Sequence, residues 1–270
     1  MGRVIAVANQ KGGVGKTTTA INLAAALGIA EKRTLLIDID PQGNATSGTG
    51  INKHEVPLSI YHVIIGERTL AEVLQPTVIP SLTVAPSNIH LIGAELELVN
   101  LPERETRLRE ALAPFLDTYD YIVIDCPPSL GLLTVNALTA ADSVLIPLQC
   151  EYYALEGLSE LLNTIALIRA SLNERLAIEG ILLTMYTTRT NLTKQVEDEV
   201  RTHFPGEVLR TVIPRNIKIS EAPSFGQPVI LYDVRSKGAE SYLMLAEEII
   251  THDEKSAGAG AGRPHPQETA

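Results

Sequence analysis

One eight-residue segment, Lys11-Gly12-Gly13-Val14-Gly15-Lys16-Thr17-Thr18, constrains the fold more than any other part of the chain. It follows a continuous apolar run over residues 4–8, the pattern of a strand buried on both faces. It leads into residues 17–27, where alanine and leucine suit the buried side of a helix. A strand, a glycine loop and a helix in that order form the setting of a P-loop. Residues without side chains let successive backbone N–H groups close around phosphate oxygens. The helix N-terminus adds partial positive charge. In that arrangement Lys16 bridges the terminal phosphates and the Thr17 hydroxyl becomes a Mg²⁺ ligand.

The rest of the chain repeats the strand-then-helix pattern. Strands are expected at 34–39, 82–85, 121–125, 143–148, 180–185 and 208–213. Helices are expected at 104–116, 132–141, 155–171, 192–203 and 239–250. Such alternation predicts an α/β fold, a single-domain P-loop NTPase with a mostly parallel twisted sheet and helices on both faces. No interdomain linker or internal repeat interrupts residues 1–251. Residues 252–270 carry a Gly/Ala repeat and two prolines without apolar periodicity, so a disordered tail is expected there.

Composition narrows the function. The 270 residues include 22 Lys+Arg against 32 Asp+Glu, a net charge of −10. That balance argues against a constitutive nucleic-acid coat or a polybasic membrane binder. The two cysteines, Cys126 and Cys150, form no CxxC pair and read as buried thiols in a reducing cytoplasm. Polar Asn9-Gln10-Lys11 cut short any signal-peptide core, and no apolar run reaches the ~18 residues of a spanning helix. A cytoplasmic protein is expected.

Hydrolysis needs a metal to neutralise developing charge and a group to orient water. Two apolar runs end in aspartate. Leu35-Leu36-Ile37-Asp38-Ile39-Asp40 puts Asp38 and Asp40 on one side of its strand, and Tyr121-Ile122-Val123-Ile124-Asp125 has the form of a Walker B motif. Carboxylates at the carboxyl ends of parallel strands face the ligand crevice. Asp125 is therefore expected to hold Mg²⁺ through a water, leaving Asp38 or Asp40 for the nucleophile.

The loop departs from the plain P-loop pattern, with Gln10 at the first glycine position and Lys11 as an additional lysine. In this it resembles the deviant Walker A sequence, KGGxGK[ST], of the ParA/MinD family of dimeric ATPases. Asp38-Ile39-Asp40-Pro41-Gln42-Gly43-Asn44, Ile213-Pro214-Arg215-Asn216 and residues 149–157 (QCEYYALEG) resemble the partitioning, ParA/Soj-type branch of that family. The likeness runs from residue 3 to about 250.

The resemblance implies several roles. ATP and Mg²⁺ are the cofactors, held by Lys11, Gly12, Gly13, Val14, Gly15, Lys16, Thr17 and Thr18. Lys11 reaches across a nucleotide sandwich to the other subunit's phosphates, so the chain acts as a homodimer. Lys11, Lys16 and Asp40 are the catalytic group. Asp40 positions the water and joins Thr17 and Asp125 around the metal, while Asp38 supports Lys16 or the metal shell. Pro127-Pro128-Ser129 and Gly131 sense the γ-phosphate, and Pro214 and Asn216 contact the base. Glu151 and Tyr152 receive no role.

Such proteins, as ATP dimers, bind double-stranded DNA without sequence preference, associate with the nucleoid, and are released when a ParB-like centromere-binding partner stimulates hydrolysis. The chain starts at its first strand, so the short form, without a helix-turn-helix extension, is implied. Residues 185–218 carry six basic against four acidic side chains. Within them Arg189, Arg215 and Lys218 are expected in loops, free to reach phosphate, whereas Lys194 and Arg201 share a helix with Glu197, Asp198 and Glu199.

Three alternatives compete. A MinD-like division-site ATPase needs a C-terminal amphipathic helix, but the segment after Ile250 has no aromatic residue and no leucine, so no membrane partner is expected. A reductase like the nitrogenase iron protein shares the loop but needs exposed cysteines to hold a cluster. A nucleotide-dependent scaffold with negligible turnover is the third.

Overall fold

The computed structural model describes residues 2–151, 154–188 and 191–260. Among them, eight strands form one sheet: β1 (Arg3–Val7), β2 (Thr34–Asp38), β3 (Gln75–Pro76), β4 (Leu82–Ala85), β5 (Tyr121–Asp125), β6 (Ser143–Gln149), β7 (Ala177–Tyr186) and β8 (Val208–Pro214). Their order across the sheet is β3-β4-β2-β5-β1-β6-β7-β8. Only the short edge pair β3–β4 is antiparallel; the other neighbours are parallel. This is the single α/β domain that the alternating pattern predicts.

The inner strands read as unbroken apolar runs because they serve two cores. Along β1, Val4 and Ala6 pack on one side while Ile5 and Val7 pack on the other. The same division separates Ile122 and Ile124 from Val123 on β5, and Ile181 and Leu183 from Leu182 on β7. Helices Lys16–Ile29 and Lys237–Gly260 cover one face with Leu23, Leu27, Tyr242 and Leu245. Helices Leu132–Ala140, Ala154–Ser171 and Asn191–His203 cover the other with Leu133, Leu158, Leu161 and Val196.

The chain runs from β1 to the β2 side of the sheet and later crosses from β5 to β6, so its direction of winding reverses around β1. Crevices at such reversals, outside the carboxyl ends of the strands, are where open α/β sheets take ligands. The glycine loop leaves β1 at this point.

Two expectations are corrected. The helix anticipated over 104–116 is shorter, Arg107–Leu112, and tightens into a 3₁₀ turn at Ala113–Phe115, where Pro114 brings no N–H to continue an α-helix. The last helix does not stop near residue 250 but continues to Gly260. Disorder from 252 is thus overturned for its first nine residues, while residues 261–270 lie outside the described residues. The extension is anchored by Asp253, which accepts from Arg3 and, at 2.8 Å, from the Tyr121 hydroxyl. Arg3 also donates to the buried Glu179 at 2.5 Å. Among the described residues, no helix is long and apolar enough to cross a membrane.

Asp253→Ala should therefore lower stability by about 1–3 kcal/mol, because Arg3 and Tyr121 each lose a partner. Urea unfolding measures this, and an unchanged midpoint would show that the helix extension is held by something else.

Candidate active site

The loop after β1 takes its shape from two left-handed glycines, Gly13 at φ 76° and Gly15 at φ 91°. A side chain at either position would be strained. Gly15 directly precedes helix Lys16–Ile29, whose first N–H groups open into the crevice. Two side chains brace the loop from outside it. Asn9 donates to the Pro147 carbonyl at 2.8 Å and accepts the Lys11 N–H at 3.0 Å. The Thr184 hydroxyl of β7 donates to the Val14 carbonyl at 2.8 Å. Neither Asn9 nor Thr184 is conspicuous in the sequence, since both partners of each side chain's long-range bond are set by strand order.

Lys16 is almost fully buried, and its Nζ donates to the Lys11 carbonyl at 3.0 Å. Burial pulls its pKa down, against the attraction of Asp125 and Asp40. Lys11 points outward, with 32% of its side chain exposed, and its Nζ donates to Glu151 Oε2 at 2.7 Å. Glu151, given no role from sequence, is therefore the partner of the additional lysine. Tyr152 lies outside the described residues.

The three aspartates converge here, and their surroundings separate their roles. Asp38 and Asp125 are register partners at the ends of adjacent strands, both fully buried. Asp38 Oδ2 accepts from the N–H and the hydroxyl of Thr46, each at 2.7 Å, and Oδ1 accepts from the Asp40 N–H at 3.2 Å. Burial lifts its pKa to about 6, opposed by these bonds. Its oxygens are engaged by the chain's own donors, Thr46 and the Asp40 N–H, and not by Lys16. Asp125 differs: among the described residues, neither oxygen has a hydrogen-bond partner. Burial pushes its pKa far up and the charge of Asp38 adds to this, while the nearby Thr17 hydroxyl, short of good hydrogen-bond geometry, favours the ionised form. An orphaned carboxylate beside a threonine hydroxyl at a helix N-terminus is a fitting donor set for Mg²⁺. Asp40, 7% exposed, keeps its carboxylate at the crevice with one bond, from the Gln42 N–H at 2.9 Å.

Pro128 and Ser129 are exposed beyond β5, Pro127 is buried, and Gly131 lies against the Glu95 carboxylate. On the opposite side, Gly15, Thr18, Thr184, Pro214, Arg215, Asn216 and Tyr242 line a cavity of about 230 Å³. Pro214 and Asn216 are thus brought together with the loop. The Asn216 side-chain oxygen Oδ1 accepts the Lys218 N–H at 2.8 Å and caps helix Ile217–Glu221, which leaves its NH₂ as the available donor.

The candidate DNA cations fare unequally. Arg215 is exposed at the cavity rim. Lys218 is not a free loop lysine: it sits on helix Ile217–Glu221, donates to Glu221 at 2.9 Å and stands 5.4 Å from the Tyr232 ring centroid. The i,i+3 spacing to Glu221 was the signal for this pair. Arg189 lies outside the described residues. Both cysteines are buried, and burial pushes the Cys150 thiol up to about 11 and the Cys126 thiol higher still. Neither is presented as a cluster ligand would be.

A family model described as an AAA domain matches residues 2–178. The chromosome partitioning protein ParA of Myxococcus xanthus is 59% identical over 253 residues, covering 94% of this chain and 89% of its own. This chain belongs to the ParA/Soj family of chromosome-partitioning ATPases. The sporulation initiation inhibitor protein Soj of Bacillus subtilis is 58% identical over 252 residues, 93% of this chain and 100% of that one. Among solved structures, cobyrinic acid a,c-diamide synthase from Mycobacterium smegmatis, with bound ADP and magnesium, superposes with a TM-score of 0.84 at 38% identity, covering 100% of both chains.

Removing the brace on the loop should weaken nucleotide binding without unfolding the protein. Asn9→Ala is expected to raise the dissociation constant for ATP about tenfold, the equivalent of one lost hydrogen bond of about 1.4 kcal/mol. Equilibrium titration with a fluorescent ATP analogue reads this, and wild-type affinity would show that Asn9 does not shape the loop.

Proposed function

We propose that this chain is an ATP-driven partition switch. ATP joins two copies into a sandwich dimer, the dimer binds double-stranded DNA without sequence preference, and a ParB-like partner at a centromere-like site stimulates hydrolysis and releases it. In the ATP state the protein is then a nucleoid-associated member of the cytoplasm. The observation that carries the hydrolytic part is the fully buried Asp125 carboxylate, unpartnered beside Thr17 and Lys16.

The loop N–H groups and Lys16 take the phosphates of ATP, and the cavity beside Pro214 and Asn216 takes the base. Thr17, Asp125 (through a water) and Asp40 are the residues that would hold magnesium, which when bound neutralises charge on the phosphates. Asp40 orients the attacking water, since it alone of the three reaches the crevice surface, 7% exposed where Asp38 and Asp125 are fully buried, and its carboxylate accepts a bond from the Gln42 N–H. Lys11 exchanges its partner: its exposed pair with Glu151 is worth only about 0–1 kcal/mol, so a phosphate of the second copy can displace it.

The net charge of −10 suits a switch of this kind. One copy offers DNA few cations, but a dimer presents two copies of the 185–218 region at once, and simultaneous engagement multiplies affinity. Lys218 contributes only by leaving Glu221, an exchange made easy by the exposure of the pair.

Two measurements test the reading. Asp40→Ala should bind ATP normally while turnover falls about 100-fold or more; unchanged turnover removes Asp40 from the role. DNA binding measured with and without ATP across a salt series should appear only with ATP and weaken steeply as salt rises. Binding independent of ATP, or no binding at low salt, contradicts the partition switch.

A further inference from the structure

Behind Asp40, four buried residues close a ring of hydrogen bonds. The Asp40 N–H donates to Asp38 Oδ1 at 3.2 Å. Asp38 Oδ2 accepts the Thr46 hydroxyl at 2.7 Å. The oxygen of that hydroxyl accepts the Ser87 N–H at 2.8 Å. The Ser87 hydroxyl then donates to the Asp40 carbonyl at 2.7 Å and completes the circuit. Asp38, Thr46 and Ser87 are fully buried, and Asp40 is 7% exposed. The members come from the end of β2, from helix Asn44–Gly48 and from the segment after β4, so the ring ties three separate pieces of chain.

The direction of every bond is fixed. An ionised carboxylate only accepts, so the Thr46 hydroxyl must spend its single proton on Asp38. Its lone pair then receives the Ser87 N–H, and the Ser87 hydroxyl proton is left for the Asp40 carbonyl. Asp40 is consequently held at both its N–H and its C=O, while among the described residues its carboxylate accepts from the Gln42 N–H alone. Where the carboxylate points is decided by the backbone, and the backbone is decided by the ring.

We propose that Thr46 and Ser87 are positioning residues for hydrolysis: they aim the Asp40 carboxylate at the attacking water by gripping its backbone, and touch neither nucleotide nor metal. The inference rests on the reading of Asp40 as the group that orients water. Displacement of a reacting group by a fraction of an ångström to 1 Å lowers rates by up to about 100-fold while leaving binding intact. A contribution of that type appears in kcat and not in KM.

The test is single-turnover and steady-state ATP hydrolysis by the full chain carrying Thr46→Val, Thr46→Ser, Ser87→Ala or Asp40→Ala, and by Thr46→Val combined with Asp40→Ala. Thr46→Val and Ser87→Ala should each lower kcat about 5- to 30-fold with KM for ATP within about twofold of wild type. Thr46→Ser, which keeps the hydroxyl, should retain at least about half of kcat. Adding Thr46→Val to Asp40→Ala should cost nothing further, because there is no carboxylate left to aim.

The inference is overturned if Thr46→Val and Ser87→Ala turn over like wild type while Asp40→Ala does not. It is equally overturned if the Thr46→Val loss persists undiminished on top of Asp40→Ala, if KM rises in step with the fall in kcat, or if Thr46→Ser is as damaged as Thr46→Val. Normal turnover by Asp40→Ala would instead remove the reading of Asp40 itself, a separate failure. Should Thr46→Val fold poorly by circular dichroism, Ser87→Ala and Thr46→Ser carry the same comparison.

Discussion

Two carboxylates at the ends of neighbouring strands, fully buried and in register, set the terms for the rest of this structure. Burial raises the affinity of both for protons, the charge of Asp40 adding to this at Asp38 and that of Asp38 at Asp125, and the neighbouring Lys16 is itself discouraged by burial from carrying charge. Such a cluster is stable only with donors or cations supplied from elsewhere. The chain answers this asymmetrically. Asp38 receives three hydrogen bonds from Thr46 and Asp40 and is settled within the fold, whereas Asp125 receives none among the described residues. The two acids are thus distinguished by their donors and not by their burial, which is the same for both.

The position of the loop follows from the same geometry. β1 lies between β5 and β6, and its register with β5 aligns Val7 with Asp125, so the glycine turn starts level with the orphaned carboxylate. Asn9 and Thr184 hold that turn against β6 and β7, on the far side from the acids. Loop and acids therefore belong to one hydrogen-bonded frame, with the Lys11–Glu151 pair and the exposed Pro128-Ser129 pair on its rim.

Much of this frame was legible in the amino-acid order. Strands buried on both faces must be apolar throughout, so β1, β2, β5 and β6 stand out, and aspartates ending such runs are conspicuous because an acid there has no structural reason to follow. The glycine loop, its two lysines and Asp40 were legible for the same reason. What stayed hidden is carried by neutral polar residues. Thr46, Ser87, Asn9 and Thr184 make bonds between residues 41 to 170 positions apart, and no local pattern announces a hydroxyl whose partner is chosen by strand order. Helix Leu91–Leu98 escaped notice because Ile92 and Leu96 are exposed on it, which blurs the polar face that marks a surface helix. The final helix outran its apolar pattern because its last anchor is a carboxylate, Asp253, and not a hydrophobic side chain.

That anchor has a consequence for how the molecule can be built upon. Arg3 and Asp253 meet at the amino-terminal ends of the strands, the side of the sheet opposite the glycine loop. Residues near the two ends of the fold are therefore neighbours, on a surface remote from the glycine loop and its crevice. A fluorescent or affinity domain joined ahead of residue 3 would depart from the rear of the molecule. Joining residue 3 to the end of the last helix through a short linker would give a circular chain whose new ends can be opened in an exposed loop elsewhere, with the phosphate-binding face left undisturbed.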